Sequence, residues 1–185
     1  MPPNTTPLTI VPAQPNNQPH VLDPEFDLPA WLSDAGQPAW RAKAIYRWLH
    51  ARRAESFSEM TDLPNDLRLQ LEAEMKIWTT TVARHQVAED GTEKLLLQLH
   101  DKQQIECVLL RDGIRRTVCI SSQVGCAMGC VFCASGLDGV IRNLTTGEII
   151  EQLLRLTRLL PEDERLSHIV VMGMGEPLAN LDRLL

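Results

Sequence analysis

Three cysteines, Cys126, Cys130 and Cys133, fall in the run GCAMGCVFCASG at a C-x3-C-x2-C spacing that crowds three thiols into one loop. No fourth cysteine follows, whereas closed zinc sites show four ligands, often as two separated pairs. Three thiolates suit a cubane 4Fe–4S cluster whose fourth iron is left open for a small molecule. Two other readings stay open: a zinc site completed by His100 or His168, and a set of buried, inert thiols. Disulfides within so short a loop would need strained geometry. Gly125, Gly129 and Gly136 let the backbone curve tightly. Phe132, between the last two cysteines, suits a shield for a cluster or an ordinary core position.

Three further places carry possible chemistry. Gly173-Met174-Gly175-Glu176-Pro177 follows the apolar run His168–Met172. Glycines there let a ligand approach the backbone, and Glu176 can accept hydrogen bonds from an ammonium group; a plain glycine-rich turn is the alternative. In Thr117–Ser121, strand alternation turns Val118 and Ile120 one way and Thr117, Cys119 and Ser121 the other. Cys119 is then a reactive thiol on a polar face or a small buried hydrophobe. Glu106 lies between Ile105 and Cys107, where a carboxylate is costly unless solvated or functional. Cys107 reads as packing.

These residues need elements to hold them. The spacing predicts helices between Trp40 and Met75, with Ala44, Ile45, Trp48 and Leu49 on one stripe and Leu67, Leu71 and Met75 on another. Thr61 and Asp62, ahead of Leu63-Pro64, offer turn and cap chemistry between them. All four tryptophans and the single tyrosine precede residue 80, which marks a separately packed helical domain. Strands are expected at Lys94–Leu99, Gln104–Arg111 and Arg115–Ser122, divided at Asp90-Gly91, His100-Asp101 and Asp112-Gly113. After the cysteine loop, Thr145 and Glu148 form a capping box for a helix with Ile149, Ile150, Leu153, Leu154 and Leu160 on its buried stripe. His168–Met172 then reads as a buried strand. Strand, loop, helix, strand is the pattern of a parallel sheet or barrel, whose sites gather at the strands' carboxyl ends.

The 185 residues carry a net charge of −6, which argues against nucleic-acid binding by the whole surface and leaves only a local patch. Arg41, Lys43, Arg47, Arg52 and Arg53 put five positive charges into 13 residues. They read as an RNA-backbone contact or as the solvated face of an amphipathic helix. No signal peptide or membrane-length apolar run is visible, and five cysteines suit a reducing cytoplasm. Nine of the twelve prolines lie in the first 38 residues, and residues 1–28 read as a disordered extension. Leu181, Leu184 and Leu185 form an uncovered apolar edge, so a fragment of a protein roughly twice as long is expected. An exposed parallel strand edge would favour aggregation.

Beyond these physical readings, IEC at 105–107, TVCISSQVGCAMGCVFCASG at 117–136, RNLTTGEI at 142–149 and VVMGMGEPLAN at 170–180 resemble the radical S-adenosylmethionine (SAM) enzymes. More narrowly they are similar to the RlmN/Cfr family of ribosomal RNA adenine methyltransferases. Ala134-Ser135-Gly136 departs mildly from that pattern, which more often has a threonine before the glycine. The resemblance implies an α/β fold with a small helical accessory domain followed by the first βα units of a truncated partial (βα)6 barrel. Together with the readings above, this divides the chain into a disordered stretch at 1–28, a helical accessory, RNA-binding domain at 29–80, a β-hairpin region at 81–117 and the start of the barrel at 118–185. It implies that Cys126, Cys130 and Cys133 ligate a 4Fe–4S cluster and that Gly173, Gly175 and Glu176 receive SAM.

It further implies methylation of C2 of an adenine in 23S rRNA, with tRNA as a second candidate substrate. A methyl-cysteine in the other half of the protein would carry the methyl group. A 5′-deoxyadenosyl radical from a second SAM would abstract hydrogen from that methyl, and the carbon radical would add to the adenine. Glu106 would take the adenine's proton, and Cys119 would free the RNA as a disulfide forms. An electron donor such as flavodoxin, a monomeric state and no membrane are expected, and the fragment alone is expected to be inactive. The alternatives are a Cfr-type C8 methyltransferase, an inactive remnant, or an RNA-binding Fe–S module.

Overall fold

The computed structural model describes residues 18–185. Its first layer is helical: α1 (Leu28–Asp34), α2 (Arg41–His50) and α3 (Asn65–Glu74). Asp27 caps α1 by accepting the Ala30 amide at 2.9 Å, and Gly36, with φ of 69°, lets the chain leave the helix. The apolar stripes of all three helices meet. Leu28, Leu32, Ile45, Leu49, Phe57, Met60, Leu67 and Leu71 are buried in one cluster. The Asp62 carboxylate does not cap α3, as the sequence suggested. It accepts hydrogen bonds from the Trp48 indole and Arg47, and the Trp48 bond above all holds its carboxyl below the usual range.

The disordered stretch expected over 1–28 needs correction where it is described. Residues 1–17 lie outside the described residues, but 18–28 are packed. Val21 donates to the Lys76 carbonyl at 2.9 Å, the Lys76 amide donates to Pro19, and His20 and Val21 are buried. Prolines mask this segment in composition, yet two short backbone bonds and three buried side chains, His20, Val21 and Leu28, anchor it.

The second layer is a sheet in the order β1-β2-β3-β4-β7: β1 (Thr81–Val87), β2 (Glu93–Gln98), β3 (Gln104–Asp112), β4 (Arg115–Cys119) and β7 (His168–Val170). The first four strands are an antiparallel meander, turning at Gly91 (φ 79°), Lys102 (φ 70°) and Gly113 (φ 52°). β7 joins β4 in parallel, after a crossover that carries the small hairpin β5 (Gln123–Gly125) and β6 (Val140–Asn143) and then α4 (Thr146–Arg158). The division expected at 117/118 therefore falls inside β4, which closes the meander and opens the parallel βα unit. A 3-10 turn over Pro177–Asn180 and the short α5 (Leu181–Leu184) follow.

α4 begins at the expected capping box, with Thr145 Oγ1 accepting the Glu148 amide and Glu148 accepting the Thr145 amide. Its buried stripe is Ile149, Leu154 and Leu156; Ile150 and Leu153 are half-buried. It covers the sheet face formed by Leu95, Leu97, Ile105, Cys107, Leu109, Val118 and Ile120. β7 corrects a second expectation, because His168 and Ile169 are exposed rather than buried. Among the described residues it is the edge strand, paired on one side only.

The two layers are joined through polar groups on α4. The fully buried Glu151 carboxylate accepts both the amide and the hydroxyl of Thr79 and of Thr80, and pairs with Arg155 at 2.9 Å. Arg155 and Arg158 both stack on the Trp78 ring at 4.5 Å. Arg53, with φ of 56°, donates to the carbonyls of Leu160, Pro161 and Glu164 beyond the end of α4.

His20 completes the seam, its ring against Gly147, where a Cβ would approach within 2.8 Å. Burial lowers its pKa below the ordinary 6.5, outweighing the nearby Glu151. The 3.8 Å contact between the two is therefore one between a neutral imidazole and a carboxylate, with Nδ1 accepting the Leu22 amide at 3.1 Å. The unfolded chain takes up a proton near pH 6.5 and the folded chain only lower, so this stabilisation is complete above 6.5 and lost as pH falls. The melting temperature is expected to drop more between pH 7.5 and 5.5 in the parent chain than in His20→Asn.

Candidate active site

The cysteine loop hangs from the β5–β6 hairpin, whose register pairs Gln123 with Asn143 and Val124 with Arg142. At its base the Cys126 amide donates to the Gly139 carbonyl at 3.0 Å. Gly125 is required there. Its φ is 75°, and a Cβ would lie 2.1 Å from that same carbonyl oxygen. Further out the Cys133 amide donates to Cys130, and Gly129 has φ of 61°. Cys126 is buried, Cys133 half-buried and Cys130 exposed, and all three are free thiols.

Among the described residues, no three His, Cys, Asp or Glu side chains are gathered as a metal set. The loop thus supplies three soft donors without closing them round a point. His100 lies against Glu148 at 3.8 Å, and His168 bonds to Ser167. Met128, Val131, Phe132 and Leu137 are exposed around the thiols, with Val131 and Phe132 at 102% and 89%. Phe132 is therefore not a core residue. Three thiolate donors on a glycine-hinged, apolar loop fit a cluster held by three cysteines.

The Gly173–Glu176 segment runs beside this hairpin. The Met174 carbonyl accepts the amides of Ser122 and Gln123, and the Gly173 amide donates to Ile120. A Cβ at Gly173 would lie 2.7 Å from Ser121 Oγ, and one at Gly175, where φ is 104°, would lie 2.7 Å from the Gln123 backbone. The missing side chains thus admit the neighbouring strand extension. One Glu176 oxygen accepts the Leu178 amide at 3.0 Å, capping the 3-10 turn; the other has no hydrogen bond among the described residues.

Glu106 and Cys119 share the sheet face opposite α4. Cys119 pairs with Val108, two residues along β3 from Glu106, and the alternation leaves Glu106, Val108 and Cys119 half-buried while Ile105, Cys107 and Leu109 are buried against the helix. Glu106 pairs with Lys94 at 2.9 Å. Desolvation raises the pKa of Cys119 above its ordinary 9.0, partly offset by the Met172 amide. Burial pushes the Cys107 thiol up to about 12, in keeping with a packing role.

The sequence placed Ser121 on a polar strand face, but not the hydrogen bonds by which it, Gln123, Gln152 and Asn180 tie these pieces together. Ser121 Oγ donates to the Glu106 carbonyl at 2.7 Å and accepts the Met174 amide at 2.8 Å. Gln123 accepts the Glu176 amide and donates to Asn143. Gln152 of α4 bonds both the amide and the carbonyl of Ser121, and Asn180 donates to Ser122 and Leu144. The signal was present: Ser-Ser-Gln interrupts an otherwise apolar strand, and buried polar groups of that kind are hydrogen-bonded.

The return strand of the loop is held by charge. Arg142 forms a two-pronged pair with Glu148 at 2.8 Å and reaches Asp101 at 2.7 Å, with its side chain 3% exposed. Arg142→Leu leaves the buried Glu148 without its cation, and urea unfolding is expected to show a loss of about 3–5 kcal/mol. The five-cation helix patch is largely engaged. Arg41 bonds Gln37, Arg47 pairs with Asp62, Arg52 lies over Trp48, and Arg53 holds the end of α4.

With this geometry in view, residues 24–77 match the family described as the ribosomal RNA large subunit methyltransferase N-terminal domain. The chain is 63% identical over 90% of its length to a probable dual-specificity RNA methyltransferase RlmN of Rhodopirellula baltica. This chain belongs to the RlmN family. A Bacillus subtilis protein with the same description is 43% identical over 91% of the chain. The chain covers 45% and 47% of these two relatives, so it spans about half their length. The crystal structure of a radical SAM methyltransferase from Sphaerobacter thermophilus superposes with a TM-score of 0.80 at 42% identity, covering 85% of this chain and 47% of that one. The α/β fold is thus the amino-terminal part of a radical SAM methyltransferase fold, as the RlmN resemblance implied. The matched amino-terminal family region begins at residue 24, inside the segment packed against the helical core.

Proposed function

We propose that this chain is the amino-terminal half of an RlmN-type enzyme that methylates C2 of an adenine in 23S rRNA and, as a second substrate, tRNA, acting in the cytoplasm as a monomer. Its relatives are described as dual-specificity RNA methyltransferases. Cys126, Cys130 and Cys133 hold a 4Fe–4S cluster, which when bound supplies the electron for reductive cleavage of SAM, drawn from a donor of the flavodoxin class. Gly173 and Gly175 let the Met174 strand extension lie tightly against Ser121–Gln123, and the free oxygen of Glu176 accepts the ammonium of SAM.

The observation that carries the reading is the shared open face of Glu106 and Cys119 beside the Gly173 segment. Glu106 takes the proton from the adenine carbon once the ring is joined to a methylene on a cysteine of the other half. Cys119 then attacks that cysteine's sulfur. A sulfur–sulfur bond forms and the sulfur–carbon bond breaks, its electron pair passing to the methylene carbon, which takes up a proton to become the methyl group. The one electron left over from the radical addition passes to an oxidised carrier of the same class as the donor.

The test is expression of the full-length protein, of about twice this length, in a host lacking its own adenine-C2 methyltransferase. Mass spectrometry of the host's 23S rRNA nucleosides is expected to find 2-methyladenosine. Finding 8-methyladenosine instead would make it a Cfr-type enzyme. No methyladenosine, with RNA affinity kept, would make it a binding module.

A further inference from the structure

The face that carries Glu106 and Cys119 does not stop at those strands. The register sets Cys119 beside Val108, Val108 beside Lys94, and Lys94 beside Gln86 of β1. One pleat along, Glu106 faces Leu96 and Leu96 faces Arg84. Partners in register project to the same side, so Arg84, Gln86, Lys94, Leu96, Glu106 and Cys119 lie on one continuous surface. All seven residues of β1 are exposed. Arg84 and Gln86 make no side-chain hydrogen bond or ion pair among the described residues, whereas four of the five cations of the helical patch are engaged locally.

An enzyme that acts on a base must take it out of its stack, which opens the strand on either side of it. With the adenine at Cys119, the neighbouring nucleotides have to run somewhere. Three strand spacings separate β4 from β1, about 14 Å. Along that path the surface offers two cations, one carboxylate that pairs with Lys94, one amide and two apolar side chains. Such a face suits an unpaired RNA strand, with a phosphate on Arg84 and bases against Leu96 and Val108.

We propose that the open face of β1–β3 is the surface that holds the RNA strand flanking the target adenine, with Arg84 contacting a phosphate and Gln86 a base or ribose. This rests on the RNA methyltransferase reading above and names where that substrate lies. Lys94 serves on the same face by holding the Glu106 carboxylate until the adenine arrives.

The test measures binding of the full-length protein to a 23S rRNA fragment across a range of salt. Arg84→Ala is expected to weaken binding several-fold and to make the slope of log affinity against log salt shallower by about 0.7, one phosphate contact to a single strand. Arg84→Glu is expected to raise the KM for RNA at least tenfold, and Arg84→Lys to restore the slope. Arg165→Glu, an equally exposed reversal in the α4–β7 connection, serves as the control and is expected to change neither. An unchanged slope and KM in Arg84→Glu, in a protein that methylates RNA, would overturn the surface and leave the enzymatic reading standing. A parent protein that binds but never methylates would overturn that reading, while the slope would still decide the surface.

Discussion

Cys130→Ala in the full-length protein, reconstituted anaerobically with iron and sulfide, is expected to retain less than one iron per chain where the parent holds about four. Cys126 and Cys133 are expected to behave alike, since each supplies one of only three protein ligands and two thiolates leave half the cluster open to solvent. The loop explains why the three residues matter equally despite unequal burial. Cys126 is fixed at the hairpin base by Gly139, Cys130 stands exposed, and Cys133 bonds back to Cys130. Cys107→Ala is the matched comparison. That thiol is buried against α4 with its pKa pushed up to about 12, and its loss should leave the iron content unchanged. Iron retained by all three loop variants would remove the assignment, and one tightly held zinc per chain would point to a structural site.

Cys119→Ala is expected to convert turnover into a dead end. Without that thiol nothing attacks the sulfur that joins protein to RNA, and a denaturing gel should show most of the active enzyme shifted by covalently attached RNA. The thiolate is the attacking form, and burial holds the Cys119 pKa above 9.0. The release step in the parent enzyme should therefore quicken by roughly tenfold per pH unit through neutral pH. Clean multiple turnover by Cys119→Ala would show that another group resolves the adduct.

Local signals in the sequence were read well because their physics is local. The Thr145–Glu148 capping box, the Asp-Gly turns and the alternation of Val118 and Ile120 depend on residues a few positions apart, and all are present. β1 was not singled out because Thr81–Val87 is exposed throughout and shows no apolar alternation. The packing of residues 18–28 was missed because His20 and Val21 find their partners near Lys76, more than fifty residues away. Buried charge was hidden for a similar reason. Glu151 and Arg142 read as polar helix and strand positions, and Glu148 only as a capping residue, until the chain closes Thr79, Thr80 and Asp101 upon them. The cysteine loop was legible as donor chemistry, while the polar ties of Ser121, Gln123, Gln152 and Asn180 required the fold.

The most direct test of the central claim follows the methyl group itself. The full-length protein is supplied with reductant, a 23S rRNA fragment and SAM carrying a fully deuterated methyl group, and the methyladenosine formed is weighed by mass spectrometry. A methyl group that passes through a cysteine, loses one deuterium to a radical and regains a proton on release must arrive with two deuteriums, and that is the predicted result. A product with all three deuteriums would mean direct polar transfer from SAM, and would contradict the roles given to the cluster loop, Glu106 and Cys119 together.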